Sequence, residues 1–174
     1  ELEDNYEHRA WLRRWQLLIP EYIDWQTGHQ ANWKFEAGEQ EGRRVLASEH
    51  TLEGRVDRID SNTDGRLVID YKTGAVPDQV AVDSGEAVQL PSYALLLPEL
   101  PAAVQYVKVD SKVSDGSRLE GAELADLATQ VLARLEHVLG QIESGTSLPA
   151  WGDNRTCAYC EMDGLCRKQA WPET

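Results

Sequence analysis

Two short β-rich segments joined by a turn constrain this chain more than any other feature. The first reads Gly-Arg-Val-Asp-Arg-Ile-Asp (54–60), and the second reads Leu-Val-Ile-Asp-Tyr-Lys-Thr-Gly (67–74). Between them, Asn-Thr-Asp-Gly (62–65) is typical of a hairpin turn. The pattern therefore predicts two adjacent antiparallel strands that carry acidic and basic side chains in an apolar setting.

The turn also predicts the pairing of the two strands. If residues 63–64 form the centre of the turn, Asp57 faces Asp70 and Arg55 faces Lys72. Directly opposed residues have Cβ atoms ~4.5–5.5 Å apart, close enough for two carboxylates to bind one ion. Side chains alternate along a strand, so Asp57, Asp70 and Lys72 share one face. A type I turn followed by a bulge would shift the pairing by one residue, and this register stays open.

These side chains suit metal-assisted hydrolysis of a phosphodiester. Carboxylate oxygens are ligands that Mg²⁺ prefers, and Lys72 supplies a cation beside the attacked phosphate. The alternative is that Asp57, Asp60 and Asp70 are solvated strand charges. Aspartate is depleted in strands because its short side chain competes with the backbone, so three of them in one apolar hairpin favour a functional site.

At these residues the sequence resembles the PD-(D/E)XK nuclease superfamily, and within it the RecB/AddB-type exonuclease domain. Such domains carry a G-x-x-D-R-x-D strand, a D-Y-K-T-G strand, a Q-x-x-x-Y helix and a C-terminal cysteine cluster. This chain has all four blocks in that order, from Gly54 to Cys166. The resemblance implies an α/β fold with a restriction-endonuclease-like core, in which helices flank a central mixed β-sheet, and a cysteine-containing tail.

The resemblance also implies roles for the hairpin residues. Asp57 and Asp70 would bind Mg²⁺ or Mn²⁺, with the Tyr71 carbonyl as a further ligand. Lys72 would orient or activate the attacking water and offset charge on the scissile phosphate. Glu36, in the run Trp-Lys-Phe-Glu (33–36), matches the family's further acid on the preceding strand; the alternative is an ordinary strand charge.

Gln89 and Tyr93 form the third block. They are four residues apart, so they share one face of a helix. The resemblance implies that both lie over the active site, where they contact substrate or support the lysine. The alternative is a capping amide and a core tyrosine. The family's metal-binding histidine lies on a helix far upstream, and His8 and His29 do not match it, so we expect the chain to begin after that helix.

The cysteines form a second cluster. Cys157, Cys160 and Cys166 are the only cysteines, in the spacing C-x2-C-x5-C. An odd count argues against a disulfide framework, and a cluster without a secretory segment indicates ligation in a reducing, cytoplasmic compartment. Three thiolates do not complete a site that needs four ligands. The resemblance implies a [4Fe-4S] cluster in a longer protein with a fourth cysteine, absent from this fragment; zinc with a histidine, or three unliganded thiols, are the alternatives.

Length and charge set further bounds. The 174 residues are expected to form one domain (1–174), whose tail (145–174) lacks a large core of its own. No apolar run approaches the ~20 residues of a membrane span. The net charge is −13, from 17 basic and 30 acidic residues. A DNA-binding domain is usually basic, so we expect weak standalone affinity for DNA, although bound cations reverse the local field and an attached helicase could hold the DNA.

Hydrophobic periodicity predicts the remaining elements. The predicted helices are 2–26, 85–97 and 122–144, and the predicted strands outside the hairpin are 32–38, 44–47 and 104–109. The functional expectation is a monomeric, Mg²⁺-dependent DNA exonuclease that acts on DNA ends and single strands, alongside a helicase, in double-strand-break repair and recombination. Two other classes stay open: a non-catalytic DNA-binding or scaffold module of a helicase–nuclease complex, and an iron–sulfur structural module.

Overall fold

The computed structural model describes residues 6–147, 152, 157–166 and 168. Backbone contacts divide the chain into two compact units, Glu1–Arg134 and Leu135–Thr174. In chain order the elements are α1 (Tyr6–His29), β1 (Lys34–Val45), β2 (Thr51–Asn62), β3 (Gly65–Lys72), α2 (Gln79–Asp83), α3 (Gln89–Leu96), β4 (Ala103–Val109), β5 (Val113–Glu120), α4 (Gly121–Glu143) and α5 (Asp163–Cys166).

The first unit is built on one five-stranded sheet. The strands lie side by side in chain order, β1 to β5. β3 and β4 are parallel, and the other neighbours are antiparallel. A parallel pair needs a crossover connection, and α2 and α3 lie within it. The predicted α/β architecture, a mixed sheet flanked by helices as in restriction-endonuclease-like folds, is confirmed.

The sheet separates two apolar clusters. Leu67 and Ile69 of β3 face the cluster that includes Leu18 of α1. Val68, between them in sequence, belongs to the opposite cluster with Leu90 of α3. Alternate residues of a strand point to opposite faces, so a central strand covered on both sides reads as a continuous apolar run.

The hairpin has the register predicted from its turn. Backbone pairs run from Asn62↔Gly65 at the turn to Arg58↔Ile69. The Asn62 side chain accepts hydrogen bonds from the backbone N–H groups of Asp64 (2.8 Å) and Gly65 (3.2 Å). An asparagine that bonds two residues onward stabilises a tight turn. The alternative register, shifted by one residue, is therefore excluded.

The strands separate sooner than the sequence indicates. Because the ladder between β2 and β3 ends at Arg58, Arg55 does not face Lys72. Arg55 pairs instead with Glu41 of β1, and its guanidinium lies 2.9 Å from the Glu39 carboxylate. The expectation that Arg55 stands opposite the lysine is therefore wrong.

β5 has no counterpart among the predicted elements. Its sequence, Val-Ser-Asp-Gly-Ser-Arg-Leu-Glu, is mostly polar, and it lies at the edge of the sheet. Gly116 allows a close approach within it: an added Cβ would lie 3.0 Å from Val76 Cγ1 and 3.1 Å from the Tyr106 carbonyl oxygen.

Two other elements differ from their predicted bounds: β1 is one strand where two segments were predicted, and α3 is shorter than 85–97. Within the described residues, no helix is both long and apolar enough to cross a bilayer.

Candidate active site

An acid and a lysine lie together at the end of β3. Asp70 Oδ2 is 2.7 Å from Lys72 Nζ, and Asp70 is buried whereas Lys72 is partly exposed. The two residues are separated by one position on the strand, so they point to the same face. The pair therefore places a cation beside a buried carboxylate, as the sequence predicts.

Gln89 joins this pair to α3. Its Nε2 donates to Asp70 Oδ1 at 2.9 Å and to Tyr93 Oη at 2.8 Å. Its Oε1 accepts from Lys72 Nζ at 2.7 Å. Gln89 is the first residue of α3, and Tyr93 lies one turn later. The structure thus brings Asp70, Lys72, Gln89 and Tyr93 into one connected group.

Tyr106 belongs to the same group and was not identified from the sequence. It pairs with Asp70 in the parallel ladder between β3 and β4, and it is fully buried. Lys72 Nζ lies 5.3 Å from the centre of its ring, a cation–π distance. Burial, together with the nearby Asp70 charge, raises the pKa of Tyr106 to about 12, so its hydroxyl stays protonated.

Asp57 approaches the group from β2. Its Oδ2 accepts a hydrogen bond from the backbone N–H of Tyr71 at 2.8 Å. Asp57 and Asp70 lie one position beyond the last backbone pair of the hairpin, where the strands have separated. A short carboxylate side chain competes well for such a backbone donor. Asp57 is thereby held next to the segment 70–72.

The pKa of Asp70 reflects these surroundings. Burial raises it, the neighbouring negative charge of Asp57 raises it further, and Lys72 opposes the rise only in part. Two carboxylates that repel each other in a buried site favour an additional cation. Asp57 is therefore near enough to Asp70 for its charge to raise the pKa of that carboxyl.

The donor set fits Mg²⁺. Asp70 Oδ2 is buried and forms an ion pair with the Lys72 ammonium at 2.7 Å, and it has no further polar partner among the described groups. An anionic oxygen left in this state is a good ligand for a hard cation. Mg²⁺ commonly binds through one or two carboxylates and keeps several waters. Asp57 and Asp70 are the side chains that would hold it.

Glu36 is placed apart from this group. It lies at the bulge of β1 between Phe35 and Ala37, and its Oε1 is 2.9 Å from Arg66 Nε. Arg66 is four residues before Asp70 on β3, roughly 13 Å along an extended strand. Among the described residues, no three His, Cys, Asp or Glu side chains are grouped to hold a metal. The expected third acid is therefore not brought to the site.

The third aspartate of the hairpin, Asp60, has a different setting. It is fully buried on the opposite face of β2, where it forms an ion pair with Arg58 (2.7 Å) and a hydrogen bond with His29 Nε2 (2.6 Å). Arg58 and Asp60 are two residues apart on one strand face, whereas the His29 contact has no signal in the sequence, because it depends on how α1 packs against the sheet. The three aspartates of the hairpin thus have two different settings. Asp57 and Asp70 belong to the candidate site, and Asp60 does not.

The cysteines lie in the second unit. Cys157, Cys160 and Cys166 form no disulfide, and Cys157 Sγ lies 3.7 Å from Lys168 Nζ. The described residues include no group of three potential ligands, so this arrangement does not fit an iron–sulfur cluster or a zinc ion.

Comparison with known proteins gives a family. A sequence profile of the PD-(D/E)XK nuclease superfamily matches residues 1–167. No curated protein matches the chain. A solved structure titled "Crystal structure of SSO0001" is similar with a TM-score of 0.44 and 19% identity over 78% of this chain. This chain spans 61% of that protein. The profile match covers nearly the whole chain, which therefore belongs to the PD-(D/E)XK nuclease superfamily.

Proposed function

We propose that this chain is a divalent-metal-dependent deoxyribonuclease of the RecB/AddB type that hydrolyses phosphodiester bonds at DNA ends. The observation that carries the proposal is the state of Asp70. Its Oδ2 is buried without a hydrogen bond, beside the Asp57 charge and 2.7 Å from the Lys72 ammonium. A fold without chemistry gains little from keeping such a group, since burying a charge is costly even when it forms an ion pair.

Each residue of the group has a role in this proposal. Asp57 and Asp70 hold Mg²⁺ or Mn²⁺, with the Tyr71 carbonyl as an additional ligand. When bound, the cation supplies positive charge at the scissile phosphate and makes the attacking water more acidic. Lys72, fixed by Asp70 and Gln89, orients that water and stabilises the negative charge that develops on the phosphate.

Gln89 and Tyr93 support the lysine from α3. The Gln89 amide bonds Asp70 with its donor and Lys72 with its acceptor, so one side chain fixes both ends of the ion pair. Tyr93 fixes the same amide at 2.8 Å. Such supporting hydrogen bonds hold reacting groups in productive geometry, which is where much of an enzyme's rate acceleration arises.

The biological setting is proposed from the sequence blocks. Their order and identity resemble RecB/AddB-type exonucleases, which supports action on DNA ends and single strands next to a helicase domain or subunit, in double-strand-break repair and recombination in the cytoplasm. The net charge of −13 supports a division of labour in which the helicase holds the DNA. Cys157, Cys160 and Cys166 would bind an iron–sulfur cluster only in a protein that supplies a fourth cysteine.

The two other classes are less well supported. A DNA-binding scaffold that had lost its chemistry would have no need for Asp70, Lys72 and Gln89 in mutual contact, and an acidic surface does not favour DNA. For an iron–sulfur structural module, the described residues offer no group of three ligands. Iron analysis and visible absorbance of the purified chain test that class directly.

The experiment is a cleavage assay with end-labelled single- and double-stranded DNA over a titration of Mg²⁺ and of Mn²⁺. We expect shortening from the ends that depends on metal and stops in EDTA. Asp57→Asn should abolish it, because one of the two anionic ligands is lost. Asp64→Asn, which changes an exposed turn residue of the same hairpin, is the matched control. Metal-independent cleavage, or full activity of Asp57→Asn, would contradict the proposal.

A further inference from the structure

A group of buried and half-buried polar side chains lies on the face of the sheet opposite Asp70. We call it the back-face cluster; its members are Tyr22, Gln26 and His29 of α1, Arg58 and Asp60 of β2, and Tyr71 of β3. Burying charges is expensive, and apolar residues of similar volume often serve stability equally well. The cluster therefore calls for a reason other than stability.

Arg58 is the centre of the cluster. It is 5% exposed, and its Nε donates to Asp60 Oδ1 at 2.7 Å. Its Nη1 donates to three oxygens, those of Gln26 (2.6 Å), Tyr71 (3.0 Å) and Tyr22 (3.3 Å). The guanidinium fork is thus hydrogen-bonded within its own strand β2, to β3 and to α1, an arrangement that a flexible lysine ammonium reproduces poorly.

Two members of the cluster are sequence neighbours of the proposed metal ligands. Arg58 follows Asp57 on β2, and Tyr71 follows Asp70 on β3. Consecutive strand residues point to opposite faces, so the Arg58–Tyr71 hydrogen bond lies behind the two carboxylates. It joins β2 and β3 where their backbone ladder ends, at Arg58↔Ile69.

Tyr71 transmits this link through its backbone. Its side chain is held behind the sheet by Arg58 and by the Tyr22 hydroxyl at 3.1 Å. Its backbone N–H holds the Asp57 carboxylate on the other side at 2.8 Å. A change in the position of the Tyr71 ring therefore moves the donor that fixes Asp57.

We propose that the Arg58–Tyr71 hydrogen bond holds β2 and β3 at the separation at which Asp57 and Asp70 bind one divalent cation. This inference rests on the proposed metal site. Like charges in one site repel each other, and no backbone pair joins the strands at these two positions. The link behind the sheet limits how far the carboxylates move apart. Arg58 and Tyr71 are positioning residues in this account.

If the back-face cluster serves only stability, the expected effect on metal binding is different. If the hydroxyls serve only stability, removing either one lowers the melting temperature and leaves the metal affinity of the folded protein unchanged. If the Arg58–Tyr71 link positions the ligands, Tyr71→Phe weakens metal binding by about tenfold or more, the usual cost of losing a supporting partner of a metal ligand. Metal affinity, measured without DNA, separates the two cases.

Tyr22→Phe is the matched control. It deletes one hydroxyl from the same cluster and breaks the same Tyr22–Tyr71 contact, but it leaves the Arg58–Tyr71 hydrogen bond in place. Tyr22 belongs to α1, which carries no proposed metal ligand. The difference between the two variants therefore isolates the Arg58–Tyr71 link.

The experiment is calorimetric titration of the 174-residue chain with Mn²⁺ alone, at one neutral pH, for wild type and Asp70→Asn, Tyr71→Phe, Tyr22→Phe and Arg58→Lys. We expect Asp70→Asn to abolish binding and Tyr71→Phe and Arg58→Lys to weaken it by about tenfold or more. Tyr22→Phe, which leaves the Arg58–Tyr71 hydrogen bond in place, should weaken it far less than either. Arg58→Lys keeps the positive charge beside Asp60. It tests the same hydrogen bond from the other side if Tyr71→Phe does not fold.

The outcomes separate the inference from the function on which it rests. Wild-type Mn²⁺ affinity in folded Tyr71→Phe or Arg58→Lys overturns the positioning role alone. Equal weakening by Tyr22→Phe and Tyr71→Phe also overturns it, because the specific link would then be irrelevant. Mn²⁺ binding that survives Asp70→Asn overturns the proposed metal site itself.

Discussion

Gln89 Oε1 accepts a hydrogen bond from Lys72 Nζ at 2.7 Å, while the amide nitrogen of Gln89 donates to Asp70 Oδ1. This contact joins the first residue of α3 to the end of β3. Gln89→Leu should therefore lower the cleavage rate by about 10- to 100-fold, the range typical of supporting residues, because Lys72 and Asp70 both lose a partner. Single-turnover cleavage measures it.

Gln89→Glu is an informative companion variant. It keeps an acceptor for Lys72 but replaces the donor to Asp70 by a second negative charge. We expect it to be as impaired as Gln89→Leu, since a third carboxylate next to Asp57 and Asp70 increases their repulsion. Full activity in Gln89→Glu would show that the amide donor has no role.

Tyr106 should contribute through its ring more than through its hydroxyl. The hydroxyl is 3.5 Å from Gln89 Oε1, at the outer limit of a hydrogen bond, whereas the ring faces Lys72 and is fully buried. Tyr106→Phe should retain most of the cleavage activity. Tyr106→Leu should lose activity and about 2 kcal/mol or more of unfolding free energy, because the smaller side chain leaves a cavity. Denaturant unfolding and cleavage rates measure both; strong inactivation by Tyr106→Phe would contradict this assignment.

The raised pKa of Asp70 predicts a pH-dependent stability. The folded protein holds this proton to higher pH than the unfolded chain does. Ionising Asp70 therefore lowers the free energy of unfolding. This cost is absent at pH values below the unfolded-chain pKa of ~3.9, and it is complete at pH values above the folded-state pKa. Without metal, Asp70→Asn should raise the melting temperature at neutral pH, and the gain should vanish near ~pH 4.

Thermal unfolding in EDTA across this pH range checks the prediction, with Asp64→Asn as the exposed control from the same hairpin. Asp64→Asn should not raise the melting temperature in this way, because Asp64 is exposed. An Asp70→Asn protein that melts lower than wild type at neutral pH would mean that the contacts of Asp70 outweigh its burial.

Two glycines should respond to alanine with opposite signs. At Gly116 an added methyl meets Val76 and the Tyr106 backbone at 3.0 and 3.1 Å. Gly116→Ala should therefore cost about 1–3 kcal/mol by overpacking. Gly140 of α4 has no atom within 4 Å of such a methyl, so Gly140→Ala should add up to ~1 kcal/mol of helix propensity. Denaturant unfolding of both variants measures the contrast.

The sequence predicts those parts of the site that depend on local chemistry. The hairpin register follows from the turn residues 62–65, and the Gln89–Tyr93 contact follows from helical spacing. Both contacts lie within one element or one hairpin. Neither requires knowledge of how distant segments pack.

Long-range packing explains what the sequence does not reveal. Tyr106 reaches Asp70 through a parallel ladder joined by a crossover of 30 residues (73–102), which leaves no local trace. The bulge between Phe35 and Ala37 directs Glu36 toward Arg66 rather than the carboxylates. β5 is an edge strand, and most of its side chains are polar. Its backbone pairing with β4, rather than a hydrophobic pattern of its own, defines it as a strand.

The central claim is that Lys72 acts on DNA from beside a metal site formed by Asp57 and Asp70. The most direct test is metal-dependent cleavage of end-labelled DNA by Lys72→Met, with Lys34→Met, exposed at the start of β1, as control. We predict that Lys72→Met stays folded and loses cleavage, while Lys34→Met cuts at the wild-type rate. Wild-type cleavage by Lys72→Met would contradict the account.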